Sequence, residues 1–356
     1  MKIFITGICG FVGSSIARYL KKTQPEFEIF GLDNFIRSGS WTNLEPLQDL
    51  GITVYRGDIR NASDLETLPK ADFLIDAAAN PSVLAGIDGK TSSRQLVEHN
   101  LQGTINLLEY CKQHQAGFIL LSTSRVYAIP DLATLDMVEA DKAFSPKISQ
   151  DFPVGISTKG VSESYSTLPP VSLYGSTKVA SEHLALEYGA TFNFPVWINR
   201  CGVLAGAGQF GHPAQGIFAF WIHSFQEQRP LKYIGFGGSG YQVRDCLHPN
   251  DLADLILLQL QEPKDSKKPR IVNLSGGEEN SMSLAQLTDW CIANVGENSV
   301  EHTDTERPFD IPWMVLDASL AKEVWDWSPQ IGITAVLEDI ASFAKTQQNW
   351  CELSAR

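Results

Sequence analysis

A chain of 356 residues with 43% apolar content can bury the core of one large α/β domain, or a core with a smaller appendage. Its formal net charge of −13 argues against nucleic acids and anionic membranes as main partners, although a local basic pocket for a phosphate is compatible with it. Six dispersed cysteines without a C-x-x-C pair, and seven histidines without metal-binding spacing, predict reduced thiols in a cytoplasmic protein and no metal site.

The first predicted elements are a strand, a glycine-rich turn and a helix. An apolar strand at Lys2–Thr6 precedes Gly7, Gly10 and Gly13 in the spacing G-x-x-G-x-x-G, and a helical pattern over 14–22 follows. These glycines let backbone N–H groups approach a pyrophosphate, and the helix N-terminus adds partial positive charge. The turn predicts dinucleotide binding; the alternative is an αβ unit with a tight turn alone.

A strand starting at residue 2 leaves no room for a signal peptide, and no apolar run approaches the ~20 residues of a membrane span.

The second predicted strand, 28–33, ends in Asp33, twenty residues beyond Gly13. A carboxylate at this distance accepts hydrogen bonds from the ribose diol of an adenosine, whereas it repels a 2′-phosphate. The position therefore predicts NAD rather than NADP. In the alternative, Asp33 is an exposed residue without a ligand.

Three more strands are predicted at 52–55, 71–79 and 118–122, with helices at 61–68 and 91–114 between them. Asp58 follows the first of these strands and either accepts from an adenine amino group or caps the next helix. The second strand runs into small residues, Ala77, Ala78 and Ala79, against which a cofactor can lie.

The alternation of strands and helices predicts a Rossmann-type α/β fold, with a doubly wound parallel sheet and right-handed crossovers. Ligands bind such sheets at the carboxyl ends of the strands. Ser122, Thr123 and Ser124 close the fifth strand and so belong either to the site or to a turn or helix cap. Residues 128–170 lack periodicity, which is typical of a functional or disordered segment.

A helix predicted over 172–188 carries Tyr174 and Lys178 four residues apart. They share one helical face, and a nearby ammonium favours the phenolate, so Tyr174 could act as a general base near neutral pH. The alternative is a surface pair without function.

A sixth strand is predicted at 195–200. We predict an NAD-binding domain over 1–200, with an insertion at about 128–171. A smaller, partly interleaved substrate-binding portion spans 201–356.

The motif Thr6-Gly7-x-x-Gly10-Phe11-x-Gly13, Asp33, Ser122-Thr123 and Tyr174-x-x-x-Lys178 resembles the extended short-chain dehydrogenase/reductases over the whole chain. Arg244-Asp245 and Arg307-Pro308-x-Asp310 look like that family's arginines for a nucleotide diphosphate. Within the family, segments such as Ser122-Thr123-Ser124-Arg125-Val126-Tyr127 most resemble the CDP-paratose/CDP-tyvelose 2-epimerases.

The resemblance implies epimerisation of a nucleotide-diphospho sugar, at C2 of a CDP-hexose, by transient oxidation on NAD. It implies Thr123, Tyr174 and Lys178 as catalytic residues, and a homodimer formed through the helix leading to His114 and the helix after Tyr174. The implied cofactor-binding residues are Gly7, Gly10, Phe11, Val12, Gly13, Asp33, Asn34, Asp58, Ile59, Ala77, Ala78, Ala79, Ser122, Tyr174 and Lys178. The implied substrate-binding residues are Ser124, Arg125, Gln209, Arg244 and Arg307.

The chain departs from its relatives after the catalytic threonine. The 4,6-dehydratases of the family carry Asp-Glu there as acid and base, whereas this chain has Ser124-Arg125, which disfavours dehydration. Val203 stands three residues after Arg200, where relatives often have Asn or Ser near the diphosphate. The alternatives are 4-epimerisation or ketoreduction of a nucleotide sugar and, in another class, a catalytically silent NAD-binding sensor.

Overall fold

The computed structural model describes residues 1–87, 89, 92–212, 215–303 and 305–355. Within these ranges, seven parallel strands form a central sheet in the order β14-β10-β5-β4-β1-β2-β3. The sheet strands are β1 Lys2–Thr6, β2 Glu28–Asp33, β3 Thr53–Arg56, β4 Phe73–Asp76, β5 Gly117–Thr123, β10 Val196–Cys201 and β14 Ile271–Leu274. The others are β6 Met137–Ala140, β7 Ala143–Pro146, β8 Ile156–Ser157, β9 Gly160–Val161, β11 Val203–Leu204, β12 Leu231–Ile234, β13 Val243–Leu247, β15 Ser281–Ser283, β16 Val300–Thr303 and β17 Trp313–Met314.

Helices lie on both faces of the sheet. They are α1 Phe11–Thr23, α2 Leu44–Asp49, α3 Ala62–Glu66, α4 Ser93–Val97, α5 Gly103–His114, α6 Ile129–Thr134, α7 Ser172–Phe192, α8 Ile217–Gln226, α9 Pro249–Gln261, α10 Leu284–Asn294, α11 Ser319–Trp325, α12 Ile333–Thr346 and α13 Trp350–Ala355. No helix of the described ranges is both long and apolar enough to cross a membrane.

Strand alternation explains the two-sided burial. Ile3 and Ile5 of β1 face a core that includes residues of α1 and α9, while Phe4 faces the opposite core, formed with α5 and α7. Successive side chains of a strand point to opposite faces, and here both faces are apolar. The predicted doubly wound parallel sheet is confirmed.

The sheet takes its last strand from beyond residue 201. Ile198 of β10 pairs with Ile271 of β14, and α9 packs beside α1. Several other C-terminal elements form a separate apolar cluster around α8, α10 and α12. A division of the chain at residue 200 stays a prediction.

The sequence prediction was least complete in two segments. The helix predicted over 91–114 contains α4, a π-helical turn Glu98–Gln102 and α5, and its predicted first residue, Thr91, lies outside the described residues. The aperiodic segment 128–170 holds α6 and two short hairpins, β6-β7 and β8-β9. These hairpins depend on distant partners: Lys142 pairs with Asp289 at 2.7 Å, and Val161 donates its N–H to the Val315 carbonyl.

Candidate active site

The turn after β1 forms a cradle of bare backbone. Gly7 has a φ of +59°, and a Cβ there would lie 3.1 Å from the Ala78 Cα. A Cβ on Gly13 would lie 2.3 Å from the Gly7 carbonyl oxygen, so only glycine fits. The first turn of α1 begins at Phe11 and carries no acidic side chain. Its free N–H groups therefore suit an anionic ligand, and the cradle fits a dinucleotide diphosphate.

Asp33 is buried at the end of β2, with 7% of its surface exposed, so the alternative of an exposed residue is wrong. Its carboxylate accepts from the Cys9 N–H at 2.9 Å and from the Phe35 N–H at 2.8 Å. Burial raises the pKa of Asp33, and these backbone hydrogen bonds oppose that shift. The Asp33 carboxylate is thus held between the glycine turn after β1 and the loop that follows Asp33.

We expect the protein to bind NAD more tightly than NADP by about tenfold or more, since each ~1.4 kcal/mol of charge repulsion changes affinity tenfold. Asp33→Gly should narrow this preference, whereas Asp49→Gly, at an exposed position of α2, should leave it unchanged. Calorimetric titration at low salt measures both affinities. Comparable wild-type affinities for NAD and NADP would contradict the assignment of Asp33.

Asp58 lies beside the Asp33 loop. It accepts from Asn34 Nδ2 at 3.0 Å and from Arg60 Nη2 at 2.6 Å. Burial alone would raise the pKa of Asp58, but the hydrogen bonds from Arg60 and Asn34 hold it well below its ordinary value. Helix α3 begins at Ala62, after the N-cap residue Asn61, so the alternative in which Asp58 caps it is wrong. Its contact with adenine stays a prediction, as does that of the next residue, Ile59.

The small residues after β4 lie against the glycine turn that follows β1, Gly7 to Gly13, which we call the phosphate cradle. The N–H groups of Ala77 and Ala78 both lie 3.2 Å from the Thr6 hydroxyl oxygen, and that hydroxyl donates to Asp76 at 2.7 Å. Asp76, which sequence reasoning missed, is a carboxylate with 2% of its surface exposed. It anchors the ends of β1 and β4 to each other.

Tyr174 and Lys178 are buried, with 6% and 3% of their surfaces exposed, so the alternative of a surface pair is wrong. The first turn of α7 is shaped locally, because the Gly175 N–H donates to the Ser172 hydroxyl at 3.1 Å. Burial raises the pKa of Tyr174 to about 12, whereas a hydrogen bond with Thr123 and the charge of Arg125 act to lower it. The structure thus brings the two predicted catalytic hydroxyls, Thr123 and Tyr174, together.

Lys178 lies one helical turn from Tyr174 on α7, and its role as the electrostatic partner of Tyr174 stays a prediction. Burial lowers the pKa of Lys178, and the carboxylates of Asp76 and Glu182 oppose that shift. Its charge therefore lies near these carboxylates, and the charge of Arg125 also acts on Tyr174. Within the described residues, the Lys178 ammonium forms no hydrogen bond or ion pair. Its three donors suit the hydroxyls of a cofactor ribose.

A buried network behind α7 was missed by sequence reasoning. Glu182 pairs with Arg200 at 2.6 Å, and their side chains are 0% and 6% exposed. Ser122, predicted to contact the cofactor, donates its hydroxyl to Glu182, and Tyr127 lies 3.3 Å from Arg200 Nη1. The spacing could have indicated this role, because Glu182 stands one helical turn beyond Lys178.

An arginine cluster adjoins the two predicted catalytic hydroxyls. The Arg125 N–H donates to the Thr123 hydroxyl at 3.2 Å, and its guanidinium donates to the Phe309 carbonyl at 3.3 Å. Asp310 pairs with Arg244 at 2.9 Å. Burial, together with the charges of Arg244 and Arg307, lowers the pKa of Arg125 to about 10. Arg125, Arg244 and Arg307 thus carry three positive charges near the single carboxylate of Asp310. This excess of positive charge suits a diphosphate.

The remaining predicted substrate residues differ in position. Ser124 is buried within the turn that follows β5. Gln209 is also buried, and its amide donates to the Leu204 carbonyl at 2.6 Å. Its neighbour Phe210 accepts a hydrogen bond from Arg37 in the loop after Asp33, and contact of Ser124 and Gln209 with a substrate stays a prediction.

Residues 3–275 match the model of the NAD dependent epimerase/dehydratase family. The chain is 28% identical to CDP-paratose 2-epimerase of Salmonella typhi, over 93% of this chain and 95% of that protein. It is 26% identical to UDP-glucuronate 4-epimerase of Thermodesulfobacterium geofontis (strain OPF15), over 96% and 95%. The crystal structure of UDP-glucuronic acid 4-epimerase from Bacillus cereus with UDP-glucuronic acid and NAD is 26% identical and matches with a TM-score of 0.76, over 97% of this chain and 99% of that one.

Proposed function

Because the chain belongs to the NAD-dependent epimerase/dehydratase family of nucleotide-sugar enzymes, we propose that it epimerises C2 of a CDP-hexose. The observation that carries this proposal is the position of Arg125. This residue extends from the Thr123 hydroxyl to the segment that carries Arg307 and Asp310. This arrangement supports a reacting carbon that lies close to the diphosphate. In a nucleotide-linked hexose, C2 is bonded to the carbon that bears the diphosphate, whereas C4 lies across the ring.

The side chains around Tyr174 support oxidation and reduction at one carbon. Thr123 can hold the reacting hydroxyl, and Tyr174 can take its proton and later return it. NAD, when bound, would supply a positively charged acceptor for a hydride from the same carbon, so that proton and hydride together account for the oxidation and its reversal. The buried position of Tyr174 excludes water from the proton transfer. Since Ser124 and Arg125 offer no carboxyl group, elimination of water lacks its acid and base.

A second candidate is 4-epimerisation of a nucleotide sugar. It is favoured by the two UDP-glucuronate 4-epimerases, which are about as similar to this chain as the CDP-paratose 2-epimerase is. Ketoreduction would use the same three catalytic side chains. A catalytically silent sensor agrees less well with the contact between Thr123 and Tyr174, because binding NAD alone does not require it.

Running the reaction in D₂O with CDP-hexoses tests the proposal. We expect a C2 epimer without solvent deuterium and without accumulated NADH, since the hydrogen that leaves C2 returns to C2. Mass spectrometry reports the label, and NMR reports which carbon is inverted. One solvent deuteron per product molecule would indicate a carbanion mechanism, and a deoxy-keto sugar would indicate dehydration. Inversion at C4 would support the second candidate instead.

We also propose that the protein is a cytoplasmic homodimer that pairs through α5 and α7. Its six cysteines are free and buried, which suits a reducing compartment. Leu173 of α7 is 42% exposed, and Leu173→Glu should weaken the dimer. Ile148→Glu, at an 82% exposed position of the insertion, is the control. Sedimentation velocity at micromolar concentration measures the assembly, and a fully active wild-type monomer would contradict the proposal.

A further inference from the structure

The loop after Asp33, residues 34–39, is attached to distant parts of the chain. Arg37 donates to the Phe210 carbonyl at 2.7 Å, and its guanidinium lies over the Phe210 ring. Ser38 donates its hydroxyl to the Leu353 carbonyl at 2.7 Å. The loop that follows the predicted ribose carboxylate therefore rests on the C-terminal helix α13 and on the segment before α8.

The surface beneath this loop is a packed platform, which we define as Phe210, Trp350 and Leu353. The rings of Phe210 and Trp350 stack with centroids 5.3 Å apart, and 4% and 5% of their surfaces are exposed. The Trp350 indole donates to the Gln209 carbonyl at 2.7 Å. Packing and a buried hydrogen bond together fix the platform in one arrangement.

At Gly39 the backbone of the loop lies directly against the platform. Its φ is +85°, and a Cβ there would lie 2.8 Å from a Phe210 ring carbon and 3.4 Å from the Leu353 Cγ. A methyl group would therefore separate loop and platform. Gly51 has a similar φ of +74°, yet a Cβ there would meet nothing within 4 Å. The two glycines differ in their surroundings and hardly in backbone conformation.

Displacement of the loop would reach the cofactor site through Asp33. One carboxylate oxygen of Asp33 accepts from Phe35 in the loop, and the other accepts from Cys9 in the phosphate cradle. Asn34 links the same loop to Asp58 at 3.0 Å. Phe35 has a φ of +56°, a costly conformation for a bulky residue, and it persists only where the surroundings enforce it.

We propose that the platform of Phe210, Trp350 and Leu353 is a positioning element for the cofactor, holding Asp33 in place and thereby setting how tightly NAD is retained. The inference depends on the NAD site and is independent of which sugar the enzyme converts. Gly39, Phe210 and Ser38 act through Asp33 and need not touch the cofactor themselves.

The test compares Gly39→Ala with Gly51→Ala in the full-length protein. We expect Gly39→Ala to raise the Kd for NAD by about tenfold, a change equivalent to ~1.4 kcal/mol, and to lower the amount of NAD that remains bound after gel filtration. Gly51→Ala should match the wild type in both measurements. Turnover of Gly39→Ala at saturating NAD should stay within about twofold of wild type, because a positioning defect that affects only affinity is overcome by excess ligand.

Two further variants keep the proposal falsifiable if Gly39→Ala folds poorly. Ser38→Ala removes the bond to Leu353 without adding an atom and should raise the Kd for NAD in the same direction, by a smaller factor. Combining Gly39→Ala with Phe210→Leu makes room for the methyl group and should recover part of the lost affinity. The proposal is overturned if neither Gly39→Ala nor Ser38→Ala changes the Kd, or if Gly51→Ala raises it as much as Gly39→Ala does.

Discussion

Replacing Tyr174 by phenylalanine is expected to lower kcat by about two to four orders of magnitude, the usual loss for a positioned acid or base. The phenol is buried, with 6% of the residue exposed, and Thr123 is near enough to lower its pKa. Water therefore cannot readily replace it as a proton acceptor. The ring remains in Tyr174→Phe, so the pocket keeps its shape, and calorimetry should show nearly unchanged affinity for NAD and nucleotide sugar.

The matched control for this variant is Tyr188→Phe. Tyr188 lies on the same helix, and its hydroxyl donates to Glu109 at 2.7 Å near the surface. Removing that hydroxyl should leave kcat close to the wild-type value. Near wild-type turnover of Tyr174→Phe would show that Tyr174 is not the acid/base of this protein.

Glu182→Ala is expected to cost about 3–5 kcal/mol of unfolding free energy, because removing one partner of a buried ion pair leaves the other charge uncompensated. Arg200 would lose its only carboxylate partner within the described residues, Glu182 at 2.6 Å. Ser122 at the end of β5 would also lose its acceptor. Urea unfolding measures the change, and activity should fall as well, since β5 carries Thr123.

Two comparisons separate the ion pair from the general effect of a mutation in α7. Glu187→Ala, at an exposed position of the same helix, should change stability by less than about 0.5 kcal/mol. The double variant Glu182→Leu/Arg200→Met removes both charges and should recover much of the loss, since hydrophobic replacement of a buried pair is often tolerated. If Glu182→Ala were as stable as Glu187→Ala, the buried network would not contribute to the free energy of unfolding.

Local patterns account for the parts of the fold and site that the sequence predicted. The glycine spacing before α1 and the four-residue spacing of Tyr174 and Lys178 are set within one turn or one helix, and the strands of the sheet are short apolar runs between turns. These features depend on neighbours in sequence, so they can be identified without coordinates. Asp58 shows the limit of this approach, because the sequence offers its carboxylate two partners at similar distance along the chain, Arg60 and the helix after it, and only the bond with Arg60 forms.

The missed features are contacts between distant positions. The bond between Ser38 and Leu353 spans 315 residues, and Arg125 reaches Phe309 across 184 residues. No periodicity links such positions, and the segments 128–170 and 305–312 that supply many of them lack a regular pattern. The pairing of Glu182 with Arg200 is intermediate, since the helical face was predictable and the strand partner was not.

Strand β14 belongs to the central sheet but comes late in the sequence, and this affects folding during synthesis. Strand β10 pairs with β14 through Ile198 and Ile271, and the apolar side of α1 is covered by α9. During synthesis, the chain up to residue 248 therefore exposes an unpaired strand edge and an uncovered helix face. Exposed edges and apolar surfaces of partly folded chains favour aggregation. Until residues 249–274 have emerged from the ribosome, the nascent protein should depend on chaperones that bind apolar segments, and slower translation of this stretch should increase misfolding.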